Sequence, residues 1–238
     1  MKCNVYPFII TVIAAFVAGF VSAKEKTLLS DDLSTLDNFV STTISGSSWV
    51  SNGTDAVHTN GVSSSTRARL DSETVFDLNP GNIAYDSVTL EFVSSSASTT
   101  KDRLEVGLID SKNTAYYNNP LSSKVNVYGA VVSHTSSANP VGLAFNFGTG
   151  TAPGENANDI SMKAVTGTHT YRIVFTDTGT ELFQDGLSQG MTTKVLDFTR
   201  DYCVVAYGQG DDSRSAKSLD NVLLTAEKEN KLSLVIIH

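Results

Sequence analysis

The sequence predicts an all-β protein, a two-sheet antiparallel jelly-roll sandwich. Three observations predict it. Short alternations of apolar and polar residues recur along most of the chain, while runs of helical period are nearly absent. Clusters of Gly, Asn, Asp and Ser separate these alternations at short intervals. The segment THTYRIVFTDTGTELFQDG, Thr168 to Gly186, reads as two strands and a tight turn. In it Tyr171, Ile173 and Phe175 alternate with Arg172, Val174 and Thr176. Asp177-Thr178-Gly179 breaks the run, Glu181 to Gln184 restarts it, and Asp185-Gly186 supplies residues that tolerate positive φ.

The chain opens on a processing signal. Lys2 precedes an apolar run from Val5 to Phe20, and Val21-Ser22-Ala23 places small residues where a signal peptidase reads. The expectation is a leader over residues 1–23, Lys24 as first mature residue, and a secreted, cell-surface or periplasmic protein with no stable membrane insertion after cleavage. The run is short for a bilayer span and lacks a basic stop-transfer flank. The mature chain suits one large all-β domain over 24–227, with a C-terminal tail over 228–238.

Strands are expected, in order, near Phe39–Ile44, Trp49–Val50, Ala56–Thr59, Val75–Leu78, Ser87–Val93, Arg103–Ile109, Lys124–Ser133, Val141–Phe147, Ile160–Ala164, Tyr171–Asp177, Glu181–Gln184, Tyr202–Tyr207 and Leu219–Thr225. Several alternate cleanly. Val88, Leu90 and Phe92 oppose Thr89, Glu91 and Val93; Leu104, Val106 and Leu108 oppose Arg103, Glu105 and Gly107. About thirteen short strands fit a jelly roll better than a seven-stranded immunoglobulin domain. Trp49, beside Val50, is expected in the core, and Cys203 in its apolar strand is expected to be a small buried hydrophobe. The Ser-rich stretches Ser63–Thr66 and Ser94–Thr100 read as loops within one domain.

Three segments resemble the concanavalin A-like lectin and glucanase superfamily, including its laminin-G-like members. The hairpin just described is similar to that superfamily's H-x-Y-x-(I/V)-x-(W/F)…Y-x-D-G pattern, with Phe175 where glucanases usually carry Trp. Ser218-Leu219-Asp220-Asn221-Val222-Leu223-Leu224 resembles its closing strand. Ser30-Asp31-Asp32-Leu33 followed by Leu36-Asp37-Asn38-Phe39 resembles its opening segment. The resemblance implies a concanavalin A-like fold and a carbohydrate partner. It also implies that Asp220 stands where glucanase relatives hold a structural calcium. No other cofactor is expected, and no zinc set is readable.

The glucanases of this superfamily carry E-x-D-x-x-E on one strand, so that alternate carboxylates reach the same glycosidic bond. That spacing is absent here. Glu105 and Asp110 are five apart, which on a regular strand turns them to opposite faces. Binding without turnover is therefore the first expectation. A polysaccharide-cleaving enzyme with a noncanonical site and a structural surface or matrix protein are the alternatives. Sugars stack their C–H faces on aromatic rings and are oriented by polar groups at the rim. The candidates are Tyr116 and Tyr117, in a loop ending at Pro120, with Arg103, Glu105, Asn126 and Tyr128 on strand positions opposite the apolar set, lining a concave groove. The net charge of −8 disfavours nucleic acid and makes polyanionic polysaccharides poorer partners than neutral ones, unless a local basic patch overrides it.

Overall fold

The computed structural model describes residues 24–59, 66–96, 102–110, 126–134, 141–147, 159–163, 165–210 and 217–228. Within them lie sixteen strands and one 3-10 turn, Pro80–Asn82. The strands are β1 (Lys24–Asp31), β2 (Phe39–Ser45), β3 (Trp49–Ser51), β4 (Ala56–His58), β5 (Thr66–Ser72), β6 (Phe76–Asp77), β7 (Ser87–Ser96) and β8 (Asp102–Asp110). They continue with β9 (Asn126–His134), β10 (Val141–Phe147), β11 (Ile160–Met162), β12 (Gly167–Thr176), β13 (Thr180–Gln184), β14 (Leu187–Thr192), β15 (Asp201–Gly210) and β16 (Lys217–Lys228).

Two antiparallel sheets result. The first runs β14-β13-β12-β7-β16-β4-β3, with β1 also on β16; the second runs β11-β10-β9-β8-β15-β5-β2, with β6 also on β15. The expected all-β jelly-roll sandwich is the observed fold. The alternations sort the side chains as period 2 requires. Leu90, Phe92, Tyr171, Ile173 and Phe175 from the first sheet meet Leu104, Val106, Leu108, Val204 and Ala206 from the second in one buried cluster. Phe92 stacks on Tyr171 with centroids 5.3 Å apart, and Phe145 meets Phe175 edge-on at 6.5 Å. Edge strands β11 and β14 meet, closing that side of the two layers.

Trp49 lies in the core, 2% exposed, and Cys203 is a buried free thiol whose ionisation burial opposes, both as the sequence suggested. Asp185 and Gly186 adopt φ of 51° and 77°, the left-handed pair of a two-residue hairpin turn. That turn leads into β14, a strand the apolar pattern does not mark. Two further strands are additions, β1 and β5. β1 (KEKTLLSD) is charged along an exposed edge, and β5 (TRARLDS) has only two apolar residues facing inward. Low apolar content hid all three.

The start of the β12 hairpin is pinned by a charged clasp. His169 Nδ1 lies 2.7 Å from Asp185 Oδ2, His169 Nε2 lies 3.0 Å from the Thr166 carbonyl, and Asp185 Oδ1 accepts the Thr170 N–H. Both ring nitrogens face acceptors, so the doubly protonated ring is favoured. Burial alone would lower the His169 pKa, but the Asp185 and Thr166 hydrogen bonds and the Asp185 charge raise it above 6.5. For Asp185 burial acts upward, and the His169 and Thr170 hydrogen bonds overcome it to hold the pKa below 3.8. The histidine contribution is complete below its unfolded pKa and is lost as pH rises through the raised value. The aspartate contribution is complete above its unfolded pKa and is lost as pH falls through the lowered one. The clasp is therefore worth most between about pH 4 and 6.5. His169→Gln is expected to cost about 0.5–1 kcal/mol at pH 5.5 and less at pH 8.5, since the pair is partly exposed. Urea unfolding at both pH values checks this, and an equal cost at both would remove the charged ring from the account.

Candidate functional site

The outward face of the second sheet gathers the polar residues that period 2 turns away from the core. On β5, Ala68 and Leu70 enter the core and leave Arg67, Arg69 and Asp71 outside. On β15, Tyr202, Val204 and Ala206 point inward and leave Cys203, Val205, Tyr207 and Gln209 outside. On β8, Leu104, Val106 and Leu108 point inward, which assigns Glu105 and Gly107 to the outer positions. The pairing of β5 with β15 and of β15 with β8 runs without a register shift. It places Arg69, Tyr207 and Glu105 in one row across three strands. Arg67, Gln209 and Arg103 occupy the next row, and Asp71, Val205 and Gly107 the row on the other side.

Within this array Arg69 Nε donates to Asp71 Oδ2 at 2.6 Å, and the Tyr207 hydroxyl donates to Gln209 Oε1 at 3.3 Å. Burial pushes the Asp71 pKa up to about 6, against the Arg69 charge and hydrogen bond that lower it. Arg67 Nε is buried without a hydrogen-bond partner, and so is Asp71 Oδ1. The face is not uniformly open. Glu105, Val205 and Tyr207 have no exposed surface, while Arg67, Arg69 and Gln209 are half-buried. Solvent therefore reaches this array from the β5 side.

The structure separates the candidates that the sequence grouped. Glu105 takes the expected face of β8. β8 and β9 are direct neighbours, as a shared lining requires. Their register spreads the four strand candidates, however: Glu105 pairs with Val132, whereas Ile109 pairs with Val127. Asn126 thus stands roughly 15 Å along the strands from Glu105, and Tyr128 lies between, beside a register shift. Tyr116 and Tyr117 lie outside the described residues. Arg67, Arg69, Tyr207 and Gln209 were missed. The available signal was the T-R-A-R-L-D alternation of β5, legible once arginine is allowed as the outward partner of Ala68 and Leu70.

Glu105 and Asp110 are not brought together. β8 pairs regularly with β15 along its length, so the odd spacing turns the two carboxylates to opposite faces. Asp110 accepts from Arg200 Nη1 at 2.6 Å, and Arg200 Nε donates to Asp197 Oδ2 at 2.8 Å. These side chains tie β8 to the segment before β15.

Asp220 sits at a bulge of β16 where Asn221 has φ of 49°. Its carboxylate accepts the Asn221 N–H and side-chain amide, each at 2.6 Å. Burial raises its pKa, opposed by the Asn221 hydrogen bond and supported by the charges of Asp55 and Asp32. Among the described residues no group of three or more His, Cys, Asp and Glu side chains is placed to hold a metal ion. Also among them, no helix is long and apolar enough to cross a membrane.

No family model and no curated protein matches this chain. Solved structures do. The potassium-bound carbohydrate recognition domain of Emp46p superposes with a TM-score of 0.62 at 16% identity, covering 79% of this chain and 88% of that one. The carbohydrate recognition domain of Emp47p gives 0.63 at 15% identity, over 83% and 94%. Lectin II from Ulex europaeus gives 0.59 at 9% identity, over 85% and 100%. At these identities the likeness is one of fold, a legume-lectin-like, concanavalin A-like sandwich. The Emp46p domain is known in both potassium-bound and metal-free forms.

Proposed function

We propose that this chain is an exported carbohydrate-binding domain that holds a glycan on the outward face of its second sheet without turning it over. In this reading residues 1–23 are a cleaved leader, 24–227 the binding domain and 228–238 a tail. The observation that carries it is the partly exposed polar set Arg67, Arg69 and Gln209, on the open β5 side of a sheet face opposite the core. The fold supports it, because the solved neighbours include proteins named as carbohydrate recognition domains and lectins. Guanidinium and amide groups side by side on this face match the hydroxyls of a sugar ring. In this reading Arg103, Asn126 and Tyr128 extend that lining along β8 and β9, Glu105 lies beneath it without exposed surface, and Tyr116 and Tyr117 supply the stacking rings. The calcium that the resemblance implied at Asp220 does not fit the β16 bulge, where Asn221 takes both carboxylate oxygens and no further acidic group completes a set among the described residues.

The opposed directions of Glu105 and Asp110 argue for binding over hydrolysis, since a glycosidase needs two carboxylates flanking one bond. A glycan array of neutral and acidic sugars, probed with the mature domain, is expected to retain a subset. Tyr116→Ala and Tyr117→Ala are each expected to weaken that retention about tenfold, the loss of one stacked ring. An array on which the unaltered domain retains nothing counts against the reading. Release of reducing ends from the same sugars would replace it with the enzymatic one.

A further inference from the structure

We infer that the sugar taken by this face is acidic, carrying a carboxylate or a sulfate, and that Arg67 is the residue that meets the acidic group. This rests on the glycan-binding reading and narrows its ligand class.

The cations of the face differ in what they already hold. Arg69 is committed to Asp71 at 2.6 Å. Arg67, two residues earlier on the same side of β5, has its Nε buried with no hydrogen-bond partner among the described residues. A guanidinium keeps its charge in this position. An N–H kept from water without an acceptor is destabilising, and a planar fork of donors selects a carboxylate or sulfate over a lone hydroxyl. The same row supplies no such acceptor. Arg67 pairs with Gln209 on β15 and with Ser45 on β2, and beyond Gln209 the register position belongs to Arg103. That row therefore holds two arginines, a glutamine and a serine, and no acid. Of the acids of the face, Glu105 stands in the neighbouring row, at the β8 position beyond Tyr207, and Asp71 stands one row further and is already engaged by Arg69.

The overall charge of −8 does not contradict this. Charges more than about 8 Å away are largely screened at physiological salt, whereas a guanidinium in contact acts at full strength. The same balance limits the ligand. One arginine without an acid in an acidic protein suits a sugar with one acidic group per residue or two, not a densely charged polyanion, which the rest of the surface repels.

The test uses the mature domain with Arg67→Met, which keeps the apolar stem, Arg67→Lys, which keeps the charge, and Arg172→Met on the opposite sheet as control. Titration calorimetry compares an oligogalacturonate and a sulfated galactan oligosaccharide with neutral galacto-, cello- and manno-oligosaccharides, and thermal unfolding verifies that each variant folds. The unaltered domain is expected to bind at least one acidic oligosaccharide tenfold or more tighter than its neutral counterpart, with a gap that narrows as salt is raised. Whether the carboxylate or the sulfate arm carries the preference identifies the group. Arg67→Met should lose tenfold or more on the acidic ligand alone, Arg67→Lys should recover part of it, and Arg172→Met should match the unaltered domain. A preference for neutral sugars, or an acidic preference untouched in Arg67→Met, overturns the inference and leaves the broader glycan reading standing. Retention of no oligosaccharide at all overturns both.

Discussion

Trp49→Ala is expected to lower the unfolding free energy by about 3–5 kcal/mol. Trp49 is the only tryptophan of the chain and is 2% exposed. It belongs to β3 in the first sheet, yet its Nε1–H donates to the Ala68 carbonyl of β5 in the second, at 3.3 Å. Its ring also meets His58 edge-on, with centroids 5.4 Å apart and planes at 69°, and His58 Nε2 is held 3.0 Å from Ser47 Oγ. Truncation thus removes the largest apolar side chain of this corner and leaves the Ala68 carbonyl without that donor. A domain of this size is typically stable by about 5–15 kcal/mol, so the loss takes a third or more of the margin. Far-UV circular dichroism in urea is the proper readout, because the variant has lost its only indole. Trp49→Phe, which refills part of the volume but cannot donate, should fall between the two. A cost under about 1 kcal/mol for Trp49→Ala would mean that the indole does not bridge the sheets as described.

Gly208→Val is expected to cost about 3 kcal/mol by the opposite route, overpacking. Gly208 lies on β15 between Tyr207 and Gln209 and faces inward. A Cβ there would stand 2.4 Å from His58 Cδ2 and 3.0 Å from Trp49 Cζ2. Both rings are buried and held by hydrogen bonds, so neither can step aside freely. The two predictions are coupled. In a Trp49→Ala background one of the two obstructions is gone, and Gly208→Val should cost less than in the unaltered chain, by roughly 0.5–2 kcal/mol. Equal costs in both backgrounds would show that the glycine and the indole do not press on each other. Because Tyr207 and Gln209 flank Gly208 and face the other way, a wedge here also tilts the row of polar groups. Weakened sugar binding is expected to accompany the lost stability.

Much of the fold was legible in residues whose burial follows from period alone. Tyr171, Ile173 and Phe175, and opposite them Leu104, Val106 and Leu108, are fully buried as their alternation required. The strands that escaped notice share a cause. In β1 the outward residues are lysines and a glutamate along an edge, a way of discouraging edge-to-edge pairing. In β14 the only large apolar residues, Leu187 and Met191, are both 70% exposed. In β5 two arginines and an aspartate surround Ala68 and Leu70. Apolar content marks a strand only to the extent that its buried side chains are apolar: β1 and β14 bury few residues, and most of what β5 buries is polar.

The binding face was legible in part for the same reason. Period 2 assigned Arg103 and Glu105 to the outer positions of β8. It could not show that Tyr207 and Arg69 would stand beside Glu105, or that Asn126 would pair at the far end of β9. Those facts depend on register between strands as distant in sequence as β5, β8 and β15.

By itself the sequence determined which residues alternate, hence the all-β class, the two-layer core and the side of each well-patterned strand that faces water. These follow from the local geometry of an extended backbone, whose side chains turn over at every residue. Only the tertiary structure decided which outward residues become neighbours, which of them lose contact with solvent, and which arginine finds an acid and which does not. That is a matter of strand order and hydrogen-bond register, set by the packing of the whole chain and written in no single segment of it.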